Sequence, residues 1–534
     1  MREIELAKVG DLKDGEMKEC LAGEAKILLA RVDGRFHAIG ATCTHYGAPL
    51  AEGALCGKRL ICPWHHANFD VTTGDLLEPP AFDALPRYEV KVKDGRVMAV
   101  LPDKVEDRRT PPMAKRDARD GRTFVILGGG AAGYMAAQTL REENFQGRIL
   151  MITREDRLPY DRPNLSKDYL HGHADPEWMP LRTDDFFSEH EIEVWRGREV
   201  ARVDAKAKTI SFKDGAQLVY DALLVATGGE PRTLPIPGSE LKNVLTLRSF
   251  DDADAIIAAA ENAKRAVVIG ASFIGMEAAF SLRTRGLEVM VVAPERTPFE
   301  HTLGAEVGAL FQQVHESNGV QFRLGAKAER IVGAGKVEAV ALDGGEKIEA
   351  DLVVIGVGVR PATGFLEGVV FGEDGGVIVD EHLRAADSLY AAGDIARFTD
   401  VRTNESSRIE HWRTALQQGR NAARNMAGRA TVYDAVPFFW TVQFDATLRY
   451  VGHAAKWDEI IFDGEVEKKD FIAFYVKDDQ IRAAAGMNRD REMAMIEDLM
   501  RRNELPAASE LRSRGGFSFQ RIGHANVAKS HRHS

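Results

Sequence analysis

A pattern of apolar strand, glycine-rich turn and helix occurs twice in this chain of 534 residues, and it restricts the fold more than any other feature. The first copy begins at Thr123 and the second at Ala266. Each strand is a short, continuous apolar run, which is typical of parallel sheets that helices cover on both faces. The repeat therefore predicts two α/β domains of the Rossmann type.

The first turn has the glycine spacing of a dinucleotide-binding site. Gly128, Gly130 and Gly133 would permit a tight turn, close approach of a pyrophosphate and close packing of helix on strand. Ala132 lies in the same turn, where the helix N-terminus would face the phosphates. Glu155 follows the next strand, about 20 residues further on, where a carboxylate binds ribose hydroxyl groups.

The second turn keeps only the outer glycines of this spacing. Ser272 stands between Gly270 and Gly275, so the turn taken alone could be a degenerate one. The residues that open its helix, Phe273 and Ile274, would lie beside the second nucleotide.

Residues 1–101 show almost no helical periodicity. Strand-like runs such as Ala25–Val32 are followed by Asp-Gly turns, which predicts a small all-β module.

Four residues of this module form the motifs C-x-H and C-x-x-H: Cys43, His45, Cys62 and His65. Two thiolates for one iron and two imidazoles for the other define a Rieske [2Fe–2S] centre. A structural zinc site is the alternative, because tetrahedral zinc also takes two cysteines and two histidines.

Charge and hydropathy exclude several classes of partner. The chain has 70 basic and 81 acidic residues, a formal net charge of −11, which argues against nucleic acid as a partner. No apolar run reaches the roughly 18 residues that a membrane span needs. The first residues contain no apolar signal segment, so we expect a cytoplasmic protein.

The second cysteine motif resembles a known family. Residues 62–70, Cys-Pro-Trp-His-His-Ala-Asn-Phe-Asp, are similar to the Rieske ferredoxins that supply electrons to bacterial oxygenases. His66 stands where those proteins have glycine, and we interpret it as a packed or solvated neighbour of the ligands. The respiratory branch has an extra cysteine in each loop, at the positions of Ala48 and Trp64 here, so the motif does not favour that branch.

Motifs around the two nucleotide turns resemble oxygenase-coupled ferredoxin reductases and apoptosis-inducing-factor-like proteins. They are the loop Leu-Pro-Tyr-Asp-Arg-Pro-Asn-Leu-Ser-Lys at 158–167, Ala-Thr-Gly-Gly at 226–229, Gly-Val-Gly-Val-Arg-Pro at 356–361 and Tyr-Ala-Ala-Gly-Asp at 390–394. Together with the N-terminal module they resemble the Rieske-fused branch of that family over nearly the whole chain. Asn164 departs from the usual second proline. Disulfide reductases share the tandem folds but need a redox cysteine pair, which this sequence lacks beside the turns.

The resemblance implies FAD in the first nucleotide fold and NAD(P)H in the second. It implies that Lys167 and Glu277 pair beside the flavin as catalytic residues, and that Asp394 binds the ribityl chain of FAD. The further cofactor contacts that it implies are Arg162, Ala226, Thr227, Gly228, Gly358, Gly393, Trp412 and Trp440. Without the resemblance, the two tryptophans would be interpreted more simply as core residues.

The choice between NADH and NADPH depends on the residues after the second strand of the second fold. Ala293 stands at the position where the family usually has a ribose-binding glutamate. Glu295 could perform that role, whereas Arg296 could instead meet a 2′-phosphate. We predict NADH.

These inferences predict a multidomain protein, with a small all-β Rieske domain, two α/β nucleotide-binding domains and an α+β C-terminal domain. The predicted boundaries are 1–101 for the Rieske domain, 102–122 for a flexible linker, 123–246 with 375–430 for the FAD domain, 247–374 for the NAD(P)H domain, and 431–534 for the C-terminal domain with a disordered tail.

The predicted activity is that of an NAD(P)H:ferredoxin-type oxidoreductase. Electrons would pass from NAD(P)H through FAD to the Rieske cluster, and then to an external protein such as an oxygenase or a cytochrome. The linker would let the Rieske module move between flavin and partner. Two alternatives stay open: an NADH-responsive redox sensor that binds a partner, and a direct reductase of a small molecule. The resemblance is also compatible with a homodimer formed through the C-terminal domain.

Overall fold

The computed structural model describes residues 1–514, which divide into two compact units. The disordered tail predicted for the last dozen residues lies outside the described residues. Unit 1 contains residues 1–111, 436–440 and 448–514, and unit 2 contains residues 112–435 and 441–447.

The N-terminal part of unit 1 is built from ten antiparallel strands in two sheets. In the first sheet the strand order is β1-β10-β9-β4-β3-β2, and in the second it is β5-β6-β7-β8. These strands are β1 (Arg2–Lys8), β2 (Met17–Ala22), β3 (Ala25–Val32), β4 (Arg35–Gly40), β5 (Ala54–Cys56), β6 (Arg59–Ile61), β7 (Asn68–Asp70), β8 (Leu76–Glu78), β9 (Arg87–Lys93) and β10 (Arg96–Leu101).

Strand β3 shows why this sequence forms a β-module with two cores. Successive side chains of a strand point to opposite faces of its sheet. Leu28 and Ala30 pack into one apolar cluster, whereas Ile27 and Leu29 pack into the other. Because both faces are covered, β3 is an almost continuous apolar run.

Residues of the segment 102–122, which is predicted to be a flexible linker, form backbone hydrogen bonds within both units. Arg109 exchanges two backbone hydrogen bonds of 2.9 Å with Ala84 in unit 1. The Ala114 N–H donates to the Arg141 carbonyl in unit 2, also at 2.9 Å. Backbone pairing therefore anchors each half of the segment to its own unit.

Unit 2 begins with the first nucleotide fold and its attached antiparallel strands. Its elements up to residue 231 are β11 (Thr123–Leu127), α1 (Ala131–Glu142), β12 (Arg148–Ile152), α2 (Asp168–His171), α3 (Asp184–Glu189), β13 (Ile192–Trp195), β14 (Val200–Asp204), β15 (Thr209–Phe212), β16 (Gln217–Val219), β17 (Ala222–Val225) and β18 (Gly229–Pro231).

The second nucleotide fold and the return to the first complete unit 2. Their elements are β19 (Val244–Thr246), α4 (Phe250–Ala260), β20 (Arg265–Ile269), α5 (Phe273–Thr284), β21 (Glu288–Ala293), α6 (Glu300–Leu303), α7 (Ala305–Ser317), β22 (Val320–Leu324), β23 (Ala328–Val332), β24 (Ala339–Leu342), β25 (Lys347–Glu349), β26 (Leu352–Ile355), β27 (Val359–Pro361), β28 (Leu366–Glu367), β29 (Val377–Ile378), β30 (Arg384–Ala386), β31 (Leu389–Ala391), β32 (Ala396–Thr399), β33 (Ser406–Arg408) and α8 (Trp412–Met426).

Two parallel sheets organise unit 2. The first has the order β13-β12-β11-β17-β31-β30, in which β30 alone pairs antiparallel. Its strands come from both sides of the second fold, so this sheet is built from two stretches of chain. The second sheet, β19-β26-β20-β21-β22, is parallel throughout. Helix α8 closes on α1 at Gly419, where an added Cβ would lie 2.1 Å from the Ala132 carbonyl oxygen.

The C-terminal elements form a five-stranded sheet of order β34-β35-β38-β37-β36. Strand β34 contributes residues 438–440 to unit 1 and 441–443 to unit 2. None of the helices within residues 1–514 has both the length and the apolar character needed to cross a membrane. The C-terminal elements are β34 (Phe438–Gln443), β35 (Ala446–Gly452), β36 (Glu459–Glu465), β37 (Asp470–Lys477), β38 (Gln480–Met487), α9 (Asp490–Arg501) and α10 (Ala508–Arg514).

Candidate functional site

The two cysteine loops of unit 1 fold in the same way. The Cys43 N–H donates to the Ala48 carbonyl at 2.9 Å, and the Gly47 N–H donates back to the Cys43 carbonyl at 3.0 Å. The second loop repeats both bonds, from Cys62 to the Ala67 carbonyl at 2.9 Å and from His66 to the Cys62 carbonyl at 3.2 Å. Gly47 and His66 therefore occupy equivalent positions.

This equivalence explains why glycine is usual at the position of His66. Gly47 has φ of 77° and His66 has φ of 56°, so both lie in the left-handed region that favours glycine. The His66 side chain is fully buried, its Nδ1 lies 2.5 Å from Glu497 Oε2, and its ring stacks on Phe438 at 4.1 Å. His66 is thus packed against the C-terminal domain, which agrees with its interpretation as a packed neighbour of the ligands.

The four motif residues supply donors that fit a Rieske cluster. Cys43 and Cys62 are buried, and their thiols lie within hydrogen-bonding reach of each other. The Nδ1 atoms of His45 and His65 are 3.1 Å apart, close enough to bind one metal ion through bonds of about 2.1 Å. Desolvation lowers the pKa of His45 to about 3, so its ring is neutral at pH 7, as a ligand imidazole must be.

Backbone donors surround both sulfur atoms. The N–H groups of His45 and Tyr46 hydrogen-bond to the sulfur of Cys43, and those of Trp64 and His65 bond to that of Cys62. Hydrogen bonds to the sulfurs are one of the means by which a protein sets the reduction potential of a cluster.

The C-terminal domain covers the histidine side of these loops. Trp440 lies with its ring centroid 4.2 Å from that of His65 and 6.5 Å from that of His45. Arg449 Nε donates to the Trp64 carbonyl at 3.0 Å. No local pattern in the sequence marks Arg449, whereas the resemblance implies Trp440 as a cofactor contact.

In unit 2 the first glycine turn has the predicted backbone. An added Cβ at Gly128 would lie 2.2 Å from the Ala226 carbonyl oxygen, and one at Gly133 would lie 1.9 Å from the Gly128 carbonyl oxygen. At Gly130, the N-cap of α1, it would meet nothing within 4 Å. The turn is therefore tightly packed underneath and open above the helix N-terminus, which fits a bound pyrophosphate.

Polar contacts link the predicted flavin-binding residues. Glu155 accepts hydrogen bonds from Tyr160 at 2.6 Å and from Arg162 at 3.0 Å. Arg162 also donates to the Arg248 carbonyl, and Arg248 pairs with Asp394 at 2.5 Å. Burial raises the pKa of Tyr160 above its usual range, so its hydroxyl remains a donor. Arg248 belongs to no motif and was missed.

The other predicted flavin contacts lie near this network. Gly393, with φ of 77°, would bring an added Cβ 3.5 Å from the Cβ of Ala132, and its N–H donates to Gln418. Thr227 donates to the Ala362 carbonyl at 2.8 Å, and a Cβ at Gly228 would lie 3.2 Å from Arg248. Trp412 is half-buried at the first residue of α8.

The second turn is packed like the first despite its serine. An added Cβ at Gly270 would lie 2.4 Å from the Gly356 carbonyl oxygen, and one at Gly275 would lie 2.1 Å from the Gly270 carbonyl oxygen. Ser272 is the N-cap of α5 and donates to the Gly356 carbonyl at 3.2 Å.

The remaining residues predicted for the second nucleotide lie close to the ends of this sheet's strands. The ring of Phe273 lies 4.7 Å from that of Phe299, tilted by 32°, while Ile274 is exposed. Gly358 follows β26 with φ of 94°, and Glu295 follows β21 half-buried. The structure brings them to the edge at which parallel sheets bind ligands.

Lys167 and Glu277 meet as the resemblance implies. Lys167 Nζ lies 2.8 Å from Glu277 Oε2, with 13% and 3% of the two side chains exposed. Ser166 also donates to this carboxylate, and Thr441 donates to its other oxygen at 2.7 Å. Three donors therefore compensate for the burial of one carboxylate.

Beyond Thr441 the hydrogen bonds continue through two further residues that the sequence did not reveal. Gln443 Nε2 donates to Thr441 at 2.9 Å, and Gln443 Oε1 lies 2.8 Å from Nε2 of His315. Because the amide oxygen accepts, His315 must donate from Nε2. Burial lowers its pKa to about 4, so the ring is neutral at pH 7.

Comparisons with known proteins agree with this division of the chain. Residues 122–419 match the pyridine nucleotide-disulphide oxidoreductase family, residues 2–89 the Rieske [2Fe-2S] domain, and residues 438–515 the reductase C-terminal domain.

Individual relatives are similar over most of the chain. Human apoptosis-inducing factor 3 is 38% identical over 510 residues, which cover 93% of this chain and 84% of that protein. Rhodocoxin reductase of Rhodococcus erythropolis is 33% identical over 73% of this chain and 91% of its own. The solved covalent complex of putidaredoxin reductase with putidaredoxin matches with a TM-score of 0.69 and 31% identity, over 73% of this chain and 95% of the matched one.

Proposed function

The chain belongs to the pyridine nucleotide-disulphide oxidoreductase family, and on this premise we propose that it passes electrons from NAD(P)H through FAD to its own Rieske cluster and then to an external redox protein. It is an oxidoreductase that uses FAD, NAD(P)H and a [2Fe–2S] cluster. No cysteine lies within residues 122–419, so the disulfide chemistry in the family's name is absent from that region.

The residues described above account for how the cofactors would be held. Cys43 and Cys62 would bind one iron, and His45 and His65 the other. When bound, FAD accepts a hydride from the nicotinamide and can return its two electrons singly to a one-electron carrier. The protein supplies position and electrostatics for this chemistry.

The pair of Lys167 and Glu277 would supply a fixed cation beside the flavin. Glu277 holds the Lys167 ammonium at 2.8 Å, and Thr441 keeps the same carboxylate oriented from its other oxygen. A cation held there would stabilise negative charge that develops on reduction.

The observation that carries the proposal is the pair of consecutive residues Trp440 and Thr441. Within unit 1, Trp440 packs against His65, one of the two proposed histidine ligands. Within unit 2, Thr441 hydrogen-bonds to Glu277, the partner of the proposed flavin lysine. The peptide bond between them therefore joins a residue that packs against a proposed cluster ligand to a residue that hydrogen-bonds to the charge pair proposed beside the flavin. This connection supports an internal route for electrons.

A second observation concerns the partner. The matched putidaredoxin reductase was solved in complex with putidaredoxin, a separate protein. Here a Rieske domain is part of the chain itself, which supports its use as the first acceptor. We propose that the next acceptor is another redox protein, such as an oxygenase or a cytochrome.

Removal of the cluster tests the route. We expect Cys62→Ser to keep NADH-dependent reduction of ferricyanide, which can take electrons from flavin, and to lose most reduction of cytochrome c. Cys20→Ala is the matched control, because Cys20 is buried in the other core of the Rieske domain. Equal cytochrome c reduction by Cys62→Ser and the unaltered protein would contradict the route. Slow turnover of the unaltered protein with every acceptor would favour the redox-sensor alternative.

We further propose NADH as the preferred nucleotide, with Glu295 as the ribose-binding carboxylate. Glu295 lies two residues after the end of β21, where a carboxylate can accept hydrogen bonds from ribose hydroxyl groups. Glu295→Gln should raise the KM for NADH and leave the KM for NADPH nearly unchanged, whereas Arg296→Gln should do the reverse. Steady-state kinetics with both nucleotides distinguish them, and an unchanged ratio of kcat/KM in both variants would refute the assignment.

A further inference from the structure

Directly after Lys167, a short segment gathers three side chains that the electron route does not use. Helix α2 begins at Asp168 and ends at His171, Gly172 follows with φ of 92°, and His173 comes next. The left-handed glycine reverses the chain, so that both histidines and the aspartate face one another. Their potential ligand atoms all lie within 4.8 Å of one another.

The individual contacts define the cluster further. His171 Nε2 lies 3.3 Å from an oxygen of Asp168. The rings of His171 and His173 are 4.4 Å apart, at an interplanar angle of 79°. Two imidazoles and one carboxylate thus converge within one turn of chain.

The buried His171 side chain has one polar contact among the described residues, with Asp168, and that contact does not have the geometry of a good hydrogen bond. Only 7% of the His171 side chain is exposed, and the ring of Phe280 lies against it at 5.2 Å. Neither of its ring nitrogens has a hydrogen-bond partner of good geometry within residues 1–514. Buried polar groups are normally paired, because an unmade hydrogen bond leaves the desolvation of the group uncompensated. A ligand that takes up a ring nitrogen would remove this cost.

We propose that Asp168, His171 and His173 bind one divalent transition-metal ion, with Zn²⁺ as the preferred occupant. Zinc takes His nitrogen and Asp oxygen at about 2.0–2.2 Å, and sites with three protein ligands leave a position for water. Asp168 and His173 are exposed, so their side chains can rotate to bring their ligand atoms within bonding distance of one ion.

The donor set argues for this class of ion. Calcium and magnesium prefer oxygen ligands, of which this cluster offers one carboxylate. The guanidinium of Arg285 approaches Gly172, where an added Cβ would lie 3.5 Å from it, and Lys167 precedes Asp168. These two cations disfavour a bound dication, so the affinity would come from the two imidazole ligands, which suit zinc and copper. The site is independent of the proposed electron route.

Zinc binding to the oxidised holoprotein tests the proposal. The end of the sequence contains His524, His531 and His533, so all variants are made in a background with these three changed to asparagine. We expect one bound Zn²⁺ by calorimetry and by metal analysis after dialysis. Asp168→Asn and His173→Asn, which alter exposed residues, should each weaken binding by at least about tenfold. His301→Asn, an exposed histidine elsewhere in unit 2, should leave it unchanged.

Copper provides a second readout that a structural effect would not imitate. Oxidised flavin and an oxidised [2Fe–2S] cluster give no EPR signal, so one equivalent of Cu²⁺ can be observed alone. We expect hyperfine coupling to two imidazole nitrogens, and to one in His173→Asn. Binding that is unchanged in Asp168→Asn and His173→Asn, or that disappears with the three terminal histidines, would overturn the proposal.

Discussion

Glu277 is a carboxylate with 3% of its side chain exposed, and its burial is tolerated because three groups donate to it. Lys167 contributes the charge, while Ser166 and Thr441 contribute neutral hydrogen bonds. When one partner of such a pair is removed, the remaining buried charge costs more than the pair itself contributed. Substitutions of Lys167 and Glu277 should therefore have non-additive effects on the free energy of unfolding.

Lys167→Met should lower the free energy of unfolding by about 3–5 kcal/mol, because it leaves Glu277 charged and without its cation. The double variant with Glu277→Gln should lose less than Lys167→Met alone. Chemical denaturation followed by flavin fluorescence measures both.

Lys213→Met serves as a control, since its partner Glu199 lies in an exposed ion pair that solvent screens. A double variant that is as unstable as the sum of its single variants would mean that the two side chains are not coupled.

The sequence could reveal the site residues that belong to short motifs. Glycine spacings and cysteine–histidine pairs are local, and the structure gives Gly128 and Gly133 the close contacts predicted for them. Arg248, Thr441 and Gln443 could not be found in this way, because each contacts a partner distant in sequence.

Among the elements, helix α9 is tied to the Rieske loop by the buried contact of Glu497 with His66. The strained left-handed conformation of His66 is retained because stacking and a short hydrogen bond compensate for it. Glu497→Ala should therefore destabilise the loop by about 1–3 kcal/mol and broaden the EPR signal of the reduced cluster.

Glu497→Gln, which keeps an acceptor oxygen, should have a smaller effect, and Arg491→Ala on an exposed face of the same helix should have none. A cluster signal in Glu497→Ala identical to that of the unaltered protein would show that α9 does not hold the loop.

Helix α7 makes the free energy of unfolding depend on pH through His315. The pKa of His315 is lowered by burial from 6.5 to about 4, so the unfolded chain binds this proton at a higher pH than the folded chain does. Stability from this group is complete above pH 6.5 and decreases as the pH falls toward 4. The loss amounts to on the order of 3 kcal/mol, at 1.36 kcal/mol per pKa unit.

Urea unfolding at a series of pH values measures this component. His315→Gln should flatten the dependence between pH 6.5 and 4, while His301→Gln, which alters an exposed histidine, should leave it steep. Equal slopes in the two variants would assign the acid sensitivity to other groups.

At the scale of the whole molecule, the sequence predicted the order of the modules but not which of them pack together. The Rieske domain and the C-terminal elements form one compact unit, although His66 and Glu497 are 431 positions apart. No local pattern encodes such a contact. A swing of the Rieske module alone would have to break this buried contact and the bond from Arg449 to Trp64.

The central claim is that electrons pass from flavin to the cluster of the same chain. The most direct measurement is anaerobic reduction with NADH, followed by rapid freezing and EPR at several protein concentrations. The account predicts loss of flavin absorbance followed by a rhombic Rieske signal, at a rate that does not change on dilution, and no such signal in Cys62→Ser. Bleached flavin with an oxidised cluster, or a rate proportional to protein concentration, would contradict it.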